Sequence, residues 1–270
     1  MAQFERILIT GAAGRLGTEL RKGLKHLANH IRISDRIEME DVQPHEEAIV
    51  CELGDYDAVM GLARDVDAIV HFGGAPLEVD FETMLDSNIR GSYHIYESAR
   101  KNGVKRVIYA SSVHAIGYHE MEGHIDADSP VRPDSLYGVS KNFVESLSRL
   151  YWDKFGIESL CLRIFSSFPE PADRRMLWSW LSFSDCVQYV ERALICPRLG
   201  HTIGHGISDN RLKVVDDSKA GHIGFQPQDN TEEFRAAMEA KTDAPDPNAP
   251  GVKFIGGWFC ELGHPDDGAD

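Results

Sequence analysis

Residues 8–17 read LITGAAGRLG, an apolar run that ends in three glycines spaced G-x-x-G-x-x-G. Glycine costs backbone entropy inside regular structure, so such a cluster points to a backbone that must turn tightly or be approached closely. Gly11 is placed for a tight turn after a first strand, Gly14 for close approach of the backbone to a diphosphate, and Gly17 for close helix packing. The helix N-terminus then presents free N–H groups and the positive end of its dipole to the phosphates. Alone, the motif is equally compatible with a plain strand-turn-helix.

Working outward, short β-rich runs alternate with helical patterns. Residues 6–10 (RILIT), 31–34 (IRIS), 48–53 (AIVCEL), 68–73 (AIVHFG), 106–112 (RVIYASS) and 159–165 (SLCLRIF) read as strands. Residues 15–28, 56–66, 81–103 and 136–156 carry apolar side chains at helical spacing. This alternation predicts an α/β fold, a Rossmann-like doubly wound parallel sheet whose nearly continuous apolar strands are buried on both faces. From Phe165 the pattern loosens into a helix over 185–195, a strand over 202–207 and helices over 216–223 and 231–240. We expect a core over 1–164 and a small C-terminal substrate-capping region over 165–240 that covers the carboxyl edge of the sheet and adds further core elements. Residues 241–270, rich in proline and acid, read as an extended strap with a frayed end.

The chain has 270 residues, 42% of them hydrophobic, enough for a substantial core. Its formal charge of -15 disfavours unassisted binding to nucleic acid or an anionic membrane surface. No apolar run approaches the roughly 18 residues of a membrane span. The five cysteines are scattered without C-x-x-C or metal-ligand spacing, and the histidines read as surface or structural residues. The expectation is a soluble cytoplasmic protein with reduced thiols and no metal.

The second strand ends at RISDR, which places Asp35 about twenty residues beyond the glycines, where a carboxylate accepts hydrogen bonds from a ribose. Such a carboxylate repels a 2′-phosphate and favours NAD over NADP. Arg36 either faces solvent or offers a partner to that extra phosphate. Further on, YASSVHAIG ends a strand and SLYGVSK opens a helix. Tyr137 and Lys141, four residues apart, share one helix face. A phenol with a reference pKa of ~10 is a poor base at neutrality unless a nearby cation stabilises the phenolate, and Lys141 supplies that cation. Ser112 is placed to hold a substrate oxygen against Tyr137.

Glycine loop, ribose acid, strand-end serine and helix-start Tyr-Lys pair occur in the order that a nicotinamide oxidoreductase requires. With TGAAGRLG, VHFGG, SNIRGSYHIYESAR and YASSVHAIGY, the chain resembles the extended short-chain dehydrogenase/reductase superfamily, and within it the uronate dehydrogenases. The resemblance implies NAD-dependent oxidation of the anomeric hydroxyl of a cyclic anionic sugar, a hexuronic acid foremost, by Tyr137, Lys141 and Ser112. It implies cofactor contacts from Gly11, Gly14, Arg15, Leu16, Gly17, Asp35, Arg36, Glu52, Leu53, Phe72, Gly73, Gly74, Asn88 and Lys141. It implies substrate contacts from Ala75, Pro76, Ser112, Val113, His114, Ser166 and Arg175, the last pairing with the anion, and a homo-oligomer joined through the helices over 81–101 and 136–155. The chain departs from the S-S-N-H-T pattern at Val113 and Ala115, carries Pro76 where a serine is expected, and Phe165 where glycine is. A sugar phosphate or sulfonated sugar therefore stays open as substrate. So do nucleotide-sugar epimerase or dehydratase chemistry and a non-catalytic dinucleotide sensor.

Overall fold

A computed structural model describes residues 2–265 and 267. Strand β1 (Phe4–Thr10) ends in buried aliphatics and breaks at Gly11, whose φ of 69° lies in the left-handed region. A Cβ there would stand 2.5 Å from the Phe72 carbonyl, so only glycine lets the loop pass the end of the neighbouring strand. In α1 (Arg15–Leu24) a Cβ at Gly17 would lie 2.1 Å from the Gly11 oxygen. The chain adds β2 (Ala28–Asp35) and β3 (Glu46–Val50), then crosses back through α2 (Tyr56–Leu62) to β4 (Ala68–His71) on the other side of β1.

From there α3 (Phe81–Met84) and α4 (Gly91–Asn102) lead to β5 (Arg106–Ser112), and α5 (Leu136–Phe155) leads to β6 (Glu158–Ile164). A two-residue pair, β7 (Ser166–Ser167) and β8 (Trp180–Leu181), flanks α6 (Met176–Ser179). Then α7 (Phe183–Ile195) returns the chain to β9 (His201–Gly206), and α8 (Glu232–Lys241) and α9 (Pro250–Lys253) follow. The main sheet has the order β3-β2-β1-β4-β5-β6-β9, parallel throughout. Strand order reverses between β1 and β4, and ligands of doubly wound sheets bind outside the carboxyl ends of the strands at that switch. Leu20, Leu24, Tyr189 and Leu194 of α1 and α7 pack on one face. Val59, Ile95, Tyr96 and Val144 of α2, α4 and α5 pack on the other.

Several local expectations differ from the structure. The strand read over 48–53 stops at Val50, because its partner β2 ends at Asp35 and Cys51 makes the last ladder bond. The helix read over 81–103 is interrupted by a π turn at Leu85–Arg90, where Asn88 turns inward. Residues 216–223 hold a 3₁₀ turn, Ser218–Ile223, rather than an α-helix. The segment after 241 is not simply extended: α9 and a 3₁₀ turn at Gly257–Glu261 fold back on the body, with Gly256 N–H on the Gly117 carbonyl at 2.8 Å and Ile255 fully buried. Most of the frayed end expected at the terminus lies outside the described residues. All five cysteines are free and buried, and no helix among the described residues is long and apolar enough to cross a membrane.

Candidate active site

A cleft of about 1230 Å³ runs along the carboxyl edge of the sheet, from the ends of β2 and β3 across the switch point to α5 and the Gly257–Glu261 turn. Gly11, Gly14, Arg15, Leu16, Gly17, Asp35, Arg36, Glu52, Leu53, Phe72, Gly73 and Gly74 line one stretch of it. Helix α1 begins at Gly14 without a side-chain cap, leaving its first backbone N–H groups available to an anion. The two Asp35 carboxylate oxygens accept from Ala13 N–H at 3.0 Å and Arg36 N–H at 2.8 Å, which ties the end of β2 to the glycine loop. The Arg15 guanidinium lies 4.7 Å over the Phe168 ring, bridging the loop and the segment beyond β7.

Asn88 is elsewhere. It is buried behind the wall, accepting from Ala75 N–H at 2.7 Å and donating to the Ala75 carbonyl at 3.1 Å and to Ser140 Oγ at 3.2 Å. Its amide thus moulds the Gly74–Ala75 wall and joins it to α5, a role its sequence context did not reveal.

The chemical end of the cleft is held by β5 and α5. Ser112 closes β5, and its Oγ accepts from His114 N–H at 3.2 Å. Ser135 caps α5 by accepting from Gly138 N–H at 3.0 Å, and Glu78 accepts from Leu136 and Tyr137 N–H at 2.9 and 2.8 Å. Tyr137 and Lys141 therefore start a firmly anchored helix. Lys141 Nζ donates to the Ala110 carbonyl at 2.8 Å and lies 5.0 Å from the Tyr137 ring centre. Burial pushes the Tyr137 phenol up to about 12, against a hydrogen bond from Ser112 that lowers it. Burial pulls the Lys141 ammonium down to about 7, while Glu145 one turn along the helix resists.

Opposite stands Arg175. Its Nη1 donates to Ser166 Oγ at 2.7 Å and its Nη2 to the Ile255 carbonyl at 2.5 Å, while Nε is buried without a partner. None of its hydrogen-bond partners is a carboxylate, and burial lowers its pKa. Asp173 and Asp134 act on it only through space, and a guanidinium buried in a cleft without a carboxylate in contact is a site for an anion. Ala75, Pro76, Val113, His114 and Ser166 line the same end. Val113 packs with Phe165 and Trp178 in an apolar cluster.

Three contributors were not anticipated. Trp258 and Phe259 enter from the C-terminal turn, Phe259 stacked on His114 at 3.7 Å between ring centres. Asp134 lies beneath His114. The aromatic pair has no local sequence signal, but an acid three residues before Tyr137 in RPDSLYG was visible.

Fold and site together define a dinucleotide-dependent enzyme on a doubly wound sheet, and comparison agrees: residues 7–181 match the NAD dependent epimerase/dehydratase family, and the chain belongs to it. Within it, a uronate dehydrogenase of Pseudomonas putida is 49% identical over 96% of this chain and 97% of its own. A crystal structure of a glucuronic acid dehydrogenase from Chromohalobacter salexigens superposes with a TM-score of 0.96 at 43% identity, covering 98% of this chain and 99% of the other. A uronate dehydrogenase mutant from Agrobacterium tumefaciens, complexed with NAD, superposes with a TM-score of 0.93 at 42% identity, covering 96% and 98%. The residues present fit a dinucleotide. The wall at the switch point is bare backbone, where a Cβ at Gly73 would crowd Leu53, Gly11 and Thr10 within 3.3 Å. A helix N-terminus and a carboxylate flank it.

Proposed function

We propose that this protein is an NAD-dependent dehydrogenase that oxidises the anomeric C–OH of a cyclic hexuronic acid, such as glucuronate or galacturonate, to the lactone. The observation that carries it is Arg175, a buried guanidinium with no acid partner, sharing one cleft end with Ser112, Tyr137 and Lys141. The glycine loop and the first turn of α1 would hold the diphosphate, Asp35 the adenosine ribose, and Glu52 with Leu53 the adenine. Phe72, Gly73 and Gly74 would flank the path to the nicotinamide ribose, which Lys141 holds. NAD, when bound, accepts the hydride that leaves the anomeric carbon.

Tyr137 takes the proton of the anomeric hydroxyl as phenolate, and the Lys141 cation stabilises that phenolate. Ser112 orients the hydroxyl oxygen, and the C–O bond becomes a carbonyl with the ring oxygen still attached, which is a lactone. Arg175 with Ser166 pairs with the carboxylate at the far end of the sugar and fixes which carbon faces Tyr137. The capping role of residues 165–240 follows from Ser166 and Arg175, which belong to that stretch.

We further propose a homo-oligomer paired through α4 and α5. Val139, Phe143 and Leu150 are exposed on α5 and Tyr93 on α4, an apolar stripe that supports this reading. The buried free cysteines suit a reducing cytoplasm. Light scattering that finds only monomer at working concentration refutes the pairing. The activity is tested by following nicotinamide reduction with glucuronate, galacturonate, glucose and glucose 6-phosphate, with NAD and NADP in parallel. Turnover of a uronate with NAD is expected; activity confined to a neutral sugar overturns the assignment of Arg175.

A further inference from the structure

His114, half-buried in the wall at the substrate end of the cleft, pairs with the buried Asp134 behind it. The Asp134 side chain is fully buried, and its Oδ2 lies 2.8 Å from His114 Nδ1. Its Oδ1 accepts from Ser135 Oγ at 2.8 Å. The carboxylate sits where two glycines make room for it: a Cβ at Gly117 or Gly256 would stand 1.8 or 1.9 Å from Oδ2. Among the described residues no Lys or Arg is in ion-pair contact with it, Arg175 acting on it only through space, so the imidazole is the one basic side chain it touches. The imidazole is further fixed by stacking on Phe259 and by an edge contact with Tyr137 at 5.7 Å.

An ionised carboxylate only accepts hydrogen bonds, so Nδ1 must carry the proton and, in the neutral ring, Nε2 must carry the lone pair. We propose that Asp134 is a positioning residue that locks His114 in the Nδ1–H tautomer, so that Nε2 accepts a hydrogen bond from a substrate hydroxyl. The two ends of the sugar are then told apart by polarity: Arg175 donates to an anion and His114 accepts from an O–H. A substrate with an ether, a carbonyl or a missing hydroxyl at that place loses the contact. This rests on the sugar-oxidising reading above.

The charge has a second consequence. The groups around the Tyr137 side chain are Lys141 on its own helix, Ser112 and Tyr109 on β5, His114 and Asp134, while Glu78 holds the backbone N–H at the helix N-terminus. Of these, Asp134 opposes phenolate formation through space. Removing its charge must therefore move the rising limb of the rate toward lower pH.

Asn fits the cradle of Asp134 in shape but not in charge, and it can donate to Nδ1, which favours the opposite tautomer. For the uronate that the wild type oxidises, Asp134→Asn is expected to raise KM by roughly tenfold or more, as loss of an orienting partner does elsewhere, and to shift the rising limb of kcat to lower pH. His114→Ala raises KM as well, and adding Asp134→Asn to it should raise KM no further, because the two act as one unit. A further KM increase in the double variant, or an unchanged KM in Asp134→Asn, overturns the inference. Histidine 15N spectra of the substrate-free protein, assigned with His114→Ala, read the tautomer without any turnover. An Nε2–H ring in the wild type overturns the inference by itself, whereas failure of every uronate in the wild type overturns the substrate reading instead.

Discussion

Lys141 is the only charged group whose ammonium faces the Tyr137 ring, at 5.0 Å among the described residues, and the hydrogen bond to the Ala110 carbonyl keeps it there. The pair is buried together, so each member is pushed toward its neutral form, Tyr137 up to about 12 and Lys141 down to about 7. The base needed for oxidation is the minority form at neutrality. We expect kcat to climb as pH rises above neutrality toward the Tyr137 value, as the phenolate fraction rises, and Tyr137→Phe to lose roughly 10²–10⁴ in rate while NAD binding measured by calorimetry persists. A flat profile, or a Phe variant that still turns over, contradicts the assignment of the base.

Lys141 also carries a stability signature with a definite sign. Its pKa in the folded chain, about 7, is depressed by burial, whereas the unfolded chain keeps the ordinary value of about 10.5. Between those values the unfolded state binds more protons, so this group makes stability rise with pH across the window and withdraws that contribution below about 7. Lys141→Met should therefore raise Tm at pH near ~7, with a smaller advantage near ~10, while abolishing oxidation. Thermal melts at the two pH values check it. A destabilised Met variant at neutrality shows that the ammonium is better compensated than its burial implies.

How far the sequence speaks depends on the range of the interaction. The doubly wound sheet was legible because each β-α unit carries its own period and its own punctuation, and Gly11, Gly103 and Gly156 mark their turns with positive φ. The glycine loop, Asp35 and the Tyr137–Lys141 pair were legible as one cleft because the switch point of such a sheet brings the carboxyl ends of β1, β2 and β5 to one edge. What stayed hidden depends on contacts across the chain. Phe259 reaches His114 from a strap whose composition reads only as extended, and Asn88 serves the loop wall because a π turn rotates it inward. Strand ends were misread where the partner strand, not the residue, decides, as at Cys51.

Arg175 provides a test of the anion. Lysine keeps the charge but cannot span Ser166 Oγ and the Ile255 carbonyl with separate nitrogens as the guanidinium does. Arg175→Lys should lose about 1.5–3 kcal/mol of transition-state stabilisation toward a uronate, or roughly 10- to 150-fold in kcat/KM. Any residual rate with neutral glucose should change little. Equal losses for charged and neutral sugars point to a structural role for Arg175 under the C-terminal turn.

The glycines of the first loop separate folding from cofactor binding. At Gly11 an alanine methyl meets the Phe72 carbonyl at 2.5 Å, and the backbone sits at φ 69°, so Gly11→Ala strains the turn and drives β1 and β4 apart. We expect it to lower Tm and to abolish NAD binding together. At Gly14 the backbone is one that any residue adopts, and a Cβ would stand 3.1 Å from the Gly11 oxygen, a tight contact relieved by a shift of a few tenths of an ångström, so Gly14→Ala should cost much less Tm than Gly11→Ala. Its methyl nevertheless enters the cleft at the uncapped start of α1, where a diphosphate must approach the backbone. Gly14→Ala is therefore expected to weaken NAD binding by calorimetry while losing much less Tm than Gly11→Ala, and full affinity in that variant removes the diphosphate from this loop.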